Sequence, residues 1–163
     1  MSDMLKVIER VIQEHRIIRA NLKHTGESVT DIEALFMLNK ESARWSQSSV
    51  KELEDKQGQL LKGISALEKG LKHHFTFEEE ALPPLLGDVL MKTILHEHVE
   101  ITGLIDKAEA SLQDAALGGL NQQELLAKKT GIEANIYNIT ELVEGHSKHE
   151  EIILDMIKKA LEA

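Results

Sequence analysis

Apolar residues recur along most of this chain at alternating steps of three and four, the spacing of one face of an α-helix. The cleanest run is Val50, Leu53, Gln57, Leu60, Ile64, Leu67, Leu71, His74 and Glu78, which holds the spacing without a slip. Such a run is a heptad seam, and His74 and Glu78 take its last two core-facing positions. Pro83 and Pro84 cannot continue a helix, so this one ends by Leu82, and Gly87 with Asp88 supply the next turn and N-cap. The following stripe is Met91, Ile94, His98, Ile101, Ile105, Ala108 and Leu112, with Leu117, Gly118 and Gly119 as its stop. Asn121 with Glu124 starts a last helix, whose apolar face reads Ile132, Ile139, Leu142, His146, Ile153 and Ile157, with Asn135 the polar exception.

At the N-terminal end a helix is expected from about Asp3 to about His24, striped by Leu5, Ile8, Ile12, His15, Ile18 and Leu22. Gly26, after Thr25, suits its left-handed cap. Residues 27–48 carry the weakest pattern. Thr30 with Glu33 has capping-box spacing, and Ile32, Leu35 and Phe36 share a face, so a short extra helix is expected there. A bend near Trp45 to Ser49 follows, with Trp45 in a packing role. No alternating, β-branched segments occur. The pattern therefore predicts an all-α fold: an up-down-up-down four-helix bundle with a short extra helix between helices one and two, as a single domain over residues 1–163.

Composition narrows the classes. The chain has no cysteine, which removes disulfides, thiolate metal sites and iron–sulfur clusters and fits a reducing compartment. A net charge of −9 argues against nucleic acid or an anionic membrane as the main partner. No apolar run approaches the ~20 residues of a membrane span. The start, MSDMLKVIERVIQEH, places charges where a signal peptide would be apolar. A cytoplasmic protein is expected.

The chemistry lies in what interrupts the apolar seam. Four of the eight histidines fall on it, one per helix: His15, His74, His98 and His146. A single seam histidine is most simply a buried, hydrogen-bonded core residue. Two carboxylates change that reading, because Glu78 lies on the seam one turn after His74, and Glu150 borders it one turn after His146. Buried acids beside buried imidazoles, with no lysine or arginine at matching positions, are very costly without a cation. A pair of metal dications removes the cost, and nitrogen and carboxylate donors without thiolate suit iron or manganese. The order along the chain is Glu14-His15, His74-x-x-x-Glu78, Glu97-His98, His146-x-x-x-Glu150, which reads as an internal duplication building one site.

Other bundle chemistries do not fit the letters. No histidine has an acid three residues before it, as the Glu-x-x-His of ferritin-like di-iron proteins requires. An exposed histidine followed by lysine and glycine, as in phosphotransfer bundles, is absent, and so is the zinc-protease HExxH.

The ordered set EH, HxxxE, EH, HxxxE, with HFTFEEEALPPL around the second element, resembles the hemerythrin family, specifically the hemerythrin-like HHE cation-binding domains. The resemblance covers about Leu5 to Leu161. It implies a non-haem di-iron centre, with His15 and His74 on one iron, His98 and His146 on the other, Glu78 and Glu150 bridging, and an oxo, hydroxo or water bridge completing the centre. Two departures stand out. Thr102 replaces the extra helix-three histidine of the oxygen carriers, and HxxxE replaces their final HxxxxD, with Glu151 the runner-up bridge. The set is closer to the hemerythrin-like domains of iron-centre repair proteins and of the iron-sensing F-box protein.

The resemblance thus implies a protein that binds or senses dioxygen, nitric oxide, iron or redox state. The diatomic ligand would sit within a wall of Ile12, Ile18, Leu71, Phe77, Ile94, Ile101 and Leu142. The alternatives are a di-iron oxidoreductase or iron donor in oxidative or nitrosative stress, or a metal-controlled interaction module. Of the other histidines, His73 and His96 are expected to be exposed and His24 to do nothing specific; His149 also falls on the helix-four seam, which leaves a supporting or alternative-ligand role open for it without making it the first reading. Glu79, Glu80 and Glu151 read most simply as a solvated acidic rim.

Overall fold

In the computed structural model the chain forms four helices, α1 (Ser2–Lys40), α2 (Gln47–Ala81), α3 (Pro83–Gln113) and α4 (Gln122–Glu162). The structure describes residues 2–40, 47–113 and 122–163, and no strand occurs among them. α1 packs against α2 and α4, and α3 packs against the same two. None of the helices is long and apolar enough to cross a membrane, among the described residues.

Helix α1 does not stop at Gly26. It runs on to Lys40, so the expected short helix is not a separate element over these residues. The buried Thr25 donates its hydroxyl to the Asn21 carbonyl one turn back (2.9 Å), a bond made within a continuing helix. Glycine inside a helix costs only ~1 kcal/mol, which tertiary packing overrides. Trp45 and Ser46 lie outside the described residues, whereas residues 47–49, the end of the expected bend, already belong to α2. The stop at Leu117, Gly118 and Gly119 and the cap at Asn121 also lie outside the described residues.

The expected α2 and α3 seams are buried wherever their side chains are described from Leu60 onward. Between them the chain turns at the buried Leu82, whose amide still bonds the Glu78 carbonyl (2.9 Å). Pro83 and Pro84 then open a single turn, where a missing N–H costs nothing. That turn breaks at Gly87, with φ 71° and ψ 169°, a conformation that favours glycine. The long body of α3 follows from Asp88.

Helix α4 departs from expectation by one residue. Its buried stripe is Ile132, Ile136, Ile139, Val143, His146, Glu150 and Leu154, while Leu142, Ile153 and Ile157 are only partly buried. A one-residue shift turns a helix face by about 100°. It brings Glu150 onto the buried stripe itself, not its border, and leaves His149 exposed.

Two apolar clusters result. One holds Ile18, Leu22, α2 from Leu60 to Phe75, α3 from Ile101 to Leu112, and α4 from Ile132 to Val143. The other holds Ile8 and Val11, Leu82 and Leu86, Met91 and Ile94, and Leu154. On every helix the polar seam residues fall at the junction between the clusters. Each buried Leu or Ile contributes about 1.5–3 kcal/mol, so apolar packing on both sides supports a layer that is itself expensive to bury.

Candidate metal centre

The layer between the clusters contains His15, His74, Glu78, His98, His146 and Glu150, all 3% exposed or less. Each helix delivers its members through one turn of the seam, so residues 60 or more positions apart in sequence meet. The six form two overlapping groups, His15, His74, Glu78, Glu150 and Glu78, His98, His146, Glu150. Within each group, one donor atom per residue lies within 4.8 Å of every other. Donor atoms held about 2.0–2.2 Å from one ion lie no more than about 4.4 Å apart, so both groups are within a few tenths of an ångström of the compactness of a metal site. The imidazoles repeat the duplication. His15 and His74 meet edge-on at 4.9 Å and 72°, His98 and His146 at 4.8 Å and 74°.

Glu78 is the hub. Its carboxylate lies 3.4 Å from His15 Nε2, 2.6 Å from His74 Nε2, 3.1 Å from His98 Nε2 and 3.7 Å from His146 Nε2. Glu150 faces His15 Nε2 (3.2 Å) and His146 Nε2 (3.6 Å). Glu151 does not share this position: it is partly exposed and meets the outer edge of His15.

The outer edges explain which nitrogens point inward. His74 Nδ1 donates to Glu14 (2.8 Å), His98 Nδ1 to Glu79 (2.9 Å), His146 Nδ1 to Glu97 (2.6 Å) and His15 Nδ1 to Glu151 (3.1 Å). The four bonds form a closed ring in which each helix supplies a carboxylate to the histidine of the next: α1 to α2, α2 to α3, α3 to α4, α4 to α1. An imidazole that donates from Nδ1 presents a bare lone pair at Nε2, which is the arrangement of carboxylate–histidine–metal units. The ring gives Glu14 and Glu97 of the two EH pairs a role. It also gives Glu79 and Glu151 a partner in the ring, although Glu79 remains exposed at the rim as expected, like Glu80, and Glu151 is partly buried.

Inward, a hydrogen bond joins His98 Nε2 and Glu78 Oε2 (3.1 Å), and most of the other polar atoms have none. Nε2 of His15, His74 and His146, Oε1 of Glu78 and both oxygens of Glu150 are buried without a hydrogen-bond partner, although carboxylates lie within ion-pair distance. Six orphaned acceptors at roughly 1–3 kcal/mol each would rival the entire net stability of a domain, about 5–15 kcal/mol. Positive charge must fill this layer. If the four imidazoles are neutral and the six carboxylates (Glu14, Glu78, Glu79, Glu97, Glu150, Glu151) ionised, as metal ligation requires, the guanidinium groups of Arg10 and Arg19 leave four negative charges, the charge of two dications.

Among the protein groups alone, protons do part of this work. Burial would lower the pKa of His15, but the carboxylates of Glu150 and Glu78 close to its Nε2 raise it to about 9. His146 is raised against the same burial by Glu78, Glu150 and Glu97. Burial would raise Glu78, yet the four imidazoles hold it far below the usual carboxylate range. Glu150 is pushed up by burial and by the charge of Glu78.

The surroundings differ in part from expectation. Ile18, Leu71 and Ile101, with Leu142 against them, belong to one flanking cluster; Ile94, with Ile12 and Phe77 against it, belongs to the other. The aromatic side chain on the centre is Phe75, the residue after His74 in the HFTFEEEALPPL stretch. It stacks on His98 (3.8 Å between centroids, 14°) and meets His146 edge-on. Phe77 instead lies under the Arg10 guanidinium, 3.6 Å from its ring centroid. Thr102 turns its hydroxyl back to the His98 carbonyl (2.8 Å). His149 is 67% exposed and touches only the outer face of Glu97 (3.4 Å), so it supports the His146 carboxylate and does not enter the cluster. His73 and His96 are exposed as expected, and His24 is exposed beside Glu27 (3.8 Å).

Compared with protein-family models, curated proteins and solved structures, the chain matches none, so its functional reading rests on the chemistry of this donor set.

Proposed function

We propose that this chain is a hemerythrin-like, up-down-up-down bundle holding a non-haem di-iron centre that binds or senses dioxygen or nitric oxide. The single observation that carries the proposal is the buried layer of imidazole and carboxylate groups, oriented by a ring of outer carboxylates, in which Nε2 of His15, His74 and His146, Oε1 of Glu78 and both oxygens of Glu150 have no hydrogen-bond partner. The alternating direction of the helices is supported by the two clusters, since chain order runs from one to the other on α1 and α3 and back on α2 and α4.

His15 and His74 would hold one ion, His98 and His146 the other, with Glu78 and Glu150 shared. Two imidazoles per ion with carboxylate oxygens favour iron or manganese over metals that prefer thiolate. Bound iron supplies reversible one-electron chemistry and an affinity for small diatomic ligands. The protein supplies the rest. Four Nδ1–H donors fix the ring orientations, Glu78 and Glu150 set the spacing, and Phe75 with the two aliphatic clusters gives the centre apolar walls on both sides. With Thr102 bonded back to its own helix, the α3–α4 position has no third imidazole, which weighs toward sensing or redox duty over oxygen carriage.

Adding dioxygen or nitric oxide to the anaerobic, reduced, iron-loaded protein is expected to change its absorption spectrum. A fully loaded sample that shows no change with either gas would overturn the gas-binding part of the proposal. Sustained turnover of peroxide by the same sample would replace it with an oxidoreductase.

A further inference from the structure

The duplication can be read residue against residue, and its two halves differ in charge. Aligning Glu14-His15 with Glu97-His98 sets Arg10 against Thr93 and Arg19 against Thr102. Both arginines act on the ring of outer carboxylates. Arg10 Nε donates to Glu14 (2.8 Å), which holds His74, and the same guanidinium is clamped from its other face by Phe77. Arg19 donates twice to Glu151 (2.8 and 3.2 Å), which holds His15. Burial would raise both carboxylates, and the arginines with their histidines instead lower them.

The other half has no such latch. Glu79, which holds His98, and Glu97, which holds His146, have no lysine or arginine partner among the described residues. Lys72 stands near Glu79 in the same groove but is engaged by Glu68. The short threonines leave space where the arginines would be. Thr102 lines a groove between α2 and α3 that reaches Glu79, Phe75 and His98. Thr93 lines one between α3 and α4 that reaches Glu97 and Glu150.

Resting on the two-cation reading above, we propose that Arg10 and Arg19 lock the α1–α2 cation position, and that the α3–α4 position, flanked by Thr93 and Thr102, is the one that exchanges its ion with solvent. An ion leaves when its imidazoles swing away, and an imidazole swings only if its Nδ1 partner yields. A carboxylate gripped by a guanidinium through charge-assisted bonds resists that rotation. A carboxylate bonded only to imidazole turns to water instead. The grooves then admit the water or chelator that takes the ion. Arg10 and Arg19 are thus positioning residues, two bonds removed from the ions they secure.

The test is release of ferrous iron from the anaerobically loaded protein to a chromogenic chelator. Wild type is expected to give two phases of one ion each, separated by about tenfold or more, the scale on which such supporting contacts act. Arg10→Gln with Arg19→Gln should accelerate the slow phase toward the fast one. Thr93→Arg with Thr102→Arg should slow the fast phase. All four positions are outside the buried core, and thermal melts would verify folding. Should the arginine variant fail to fold, the threonine variant carries the test by itself. Two ions leaving wild type in a single phase, or two phases indifferent to the substitutions in folded variants, would overturn the inference. Failure to take up two ions at all would overturn the two-cation reading beneath it.

Discussion

Glu78→Gln is expected to remove both cations from the protein, not one. The substitution preserves volume and cancels one charge at the only side chain among the described residues that faces all four imidazoles, between 2.6 Å (His74) and 3.7 Å (His146). Neutral amide oxygen is a weak ligand for a hard or borderline dication, and the new NH2 would point a donor into a cluster built from lone pairs. Glu150→Gln should cost less, because Glu150 faces only His15 and His146. Glu80→Gln, one turn from nothing in the cluster and exposed, should leave the metal content unchanged. Elemental analysis of the three variants alongside wild type checks the order. Two ions retained by Glu78→Gln would mean that the hub geometry does not hold the metal.

Removing the ions should lower the melting temperature steeply. Binding to the folded state stabilises by about 4 kcal/mol per site at a thousandfold excess of free ion over Kd. Two sites give about 8 kcal/mol, and at roughly 2–4 °C per kcal/mol for a chain of this size the shift is on the order of 16–32 °C. The charge argument gives the same sign. Without cations the cluster must hold Glu78 and Glu150 together in a dry layer, and Glu150 is already pushed toward its neutral form by burial and by Glu78. Melts of iron-loaded and chelator-treated protein under argon measure the effect directly. Equal melting temperatures would show that the layer is satisfied by protons alone.

Much of this site could be read from letters, and the misses have physical causes. The six inward residues declared themselves because polar groups interrupted an otherwise apolar stripe at helical spacing, and that signal is local to each helix. The outer carboxylates did not, because their role depends on which helix stands alongside. Glu79 and Glu151 follow Glu78 and Glu150 by one residue, so they project about 100° away from the cluster, toward the neighbouring helix, and look like rim acids until that neighbour is known. The EH pairs did carry a hint, since Glu14 and Glu97 occupy equivalent places in the two halves. Phe75 was missed for the same reason as the outer acids: it lies beside a ligand on its own helix but packs on His98 of another.

The register of α4 failed where the letters were degenerate. Leu142 and Val143 are adjacent and both apolar, and choosing the first turned the face away from Ile136, Glu150 and Leu154. Geometry on the partner helices decides between them. Gly26 was read as a stop because glycine and a preceding threonine suit a helix end, yet Thr25 is buried and bonded back to Asn21. By contrast α2 and α3 matched well, since their stripes have a single apolar residue at each step and therefore one possible face.

The central claim is that the layer between the two apolar clusters is a two-metal centre, and the most direct measurement is an anaerobic ferrous iron titration with elemental analysis of the washed product. The account predicts saturation at about two irons per chain, with near-ultraviolet absorption appearing on oxidation. Saturation at no iron, with the acceptors of His15, His74, His146, Glu78 and Glu150 left to protons, would contradict it.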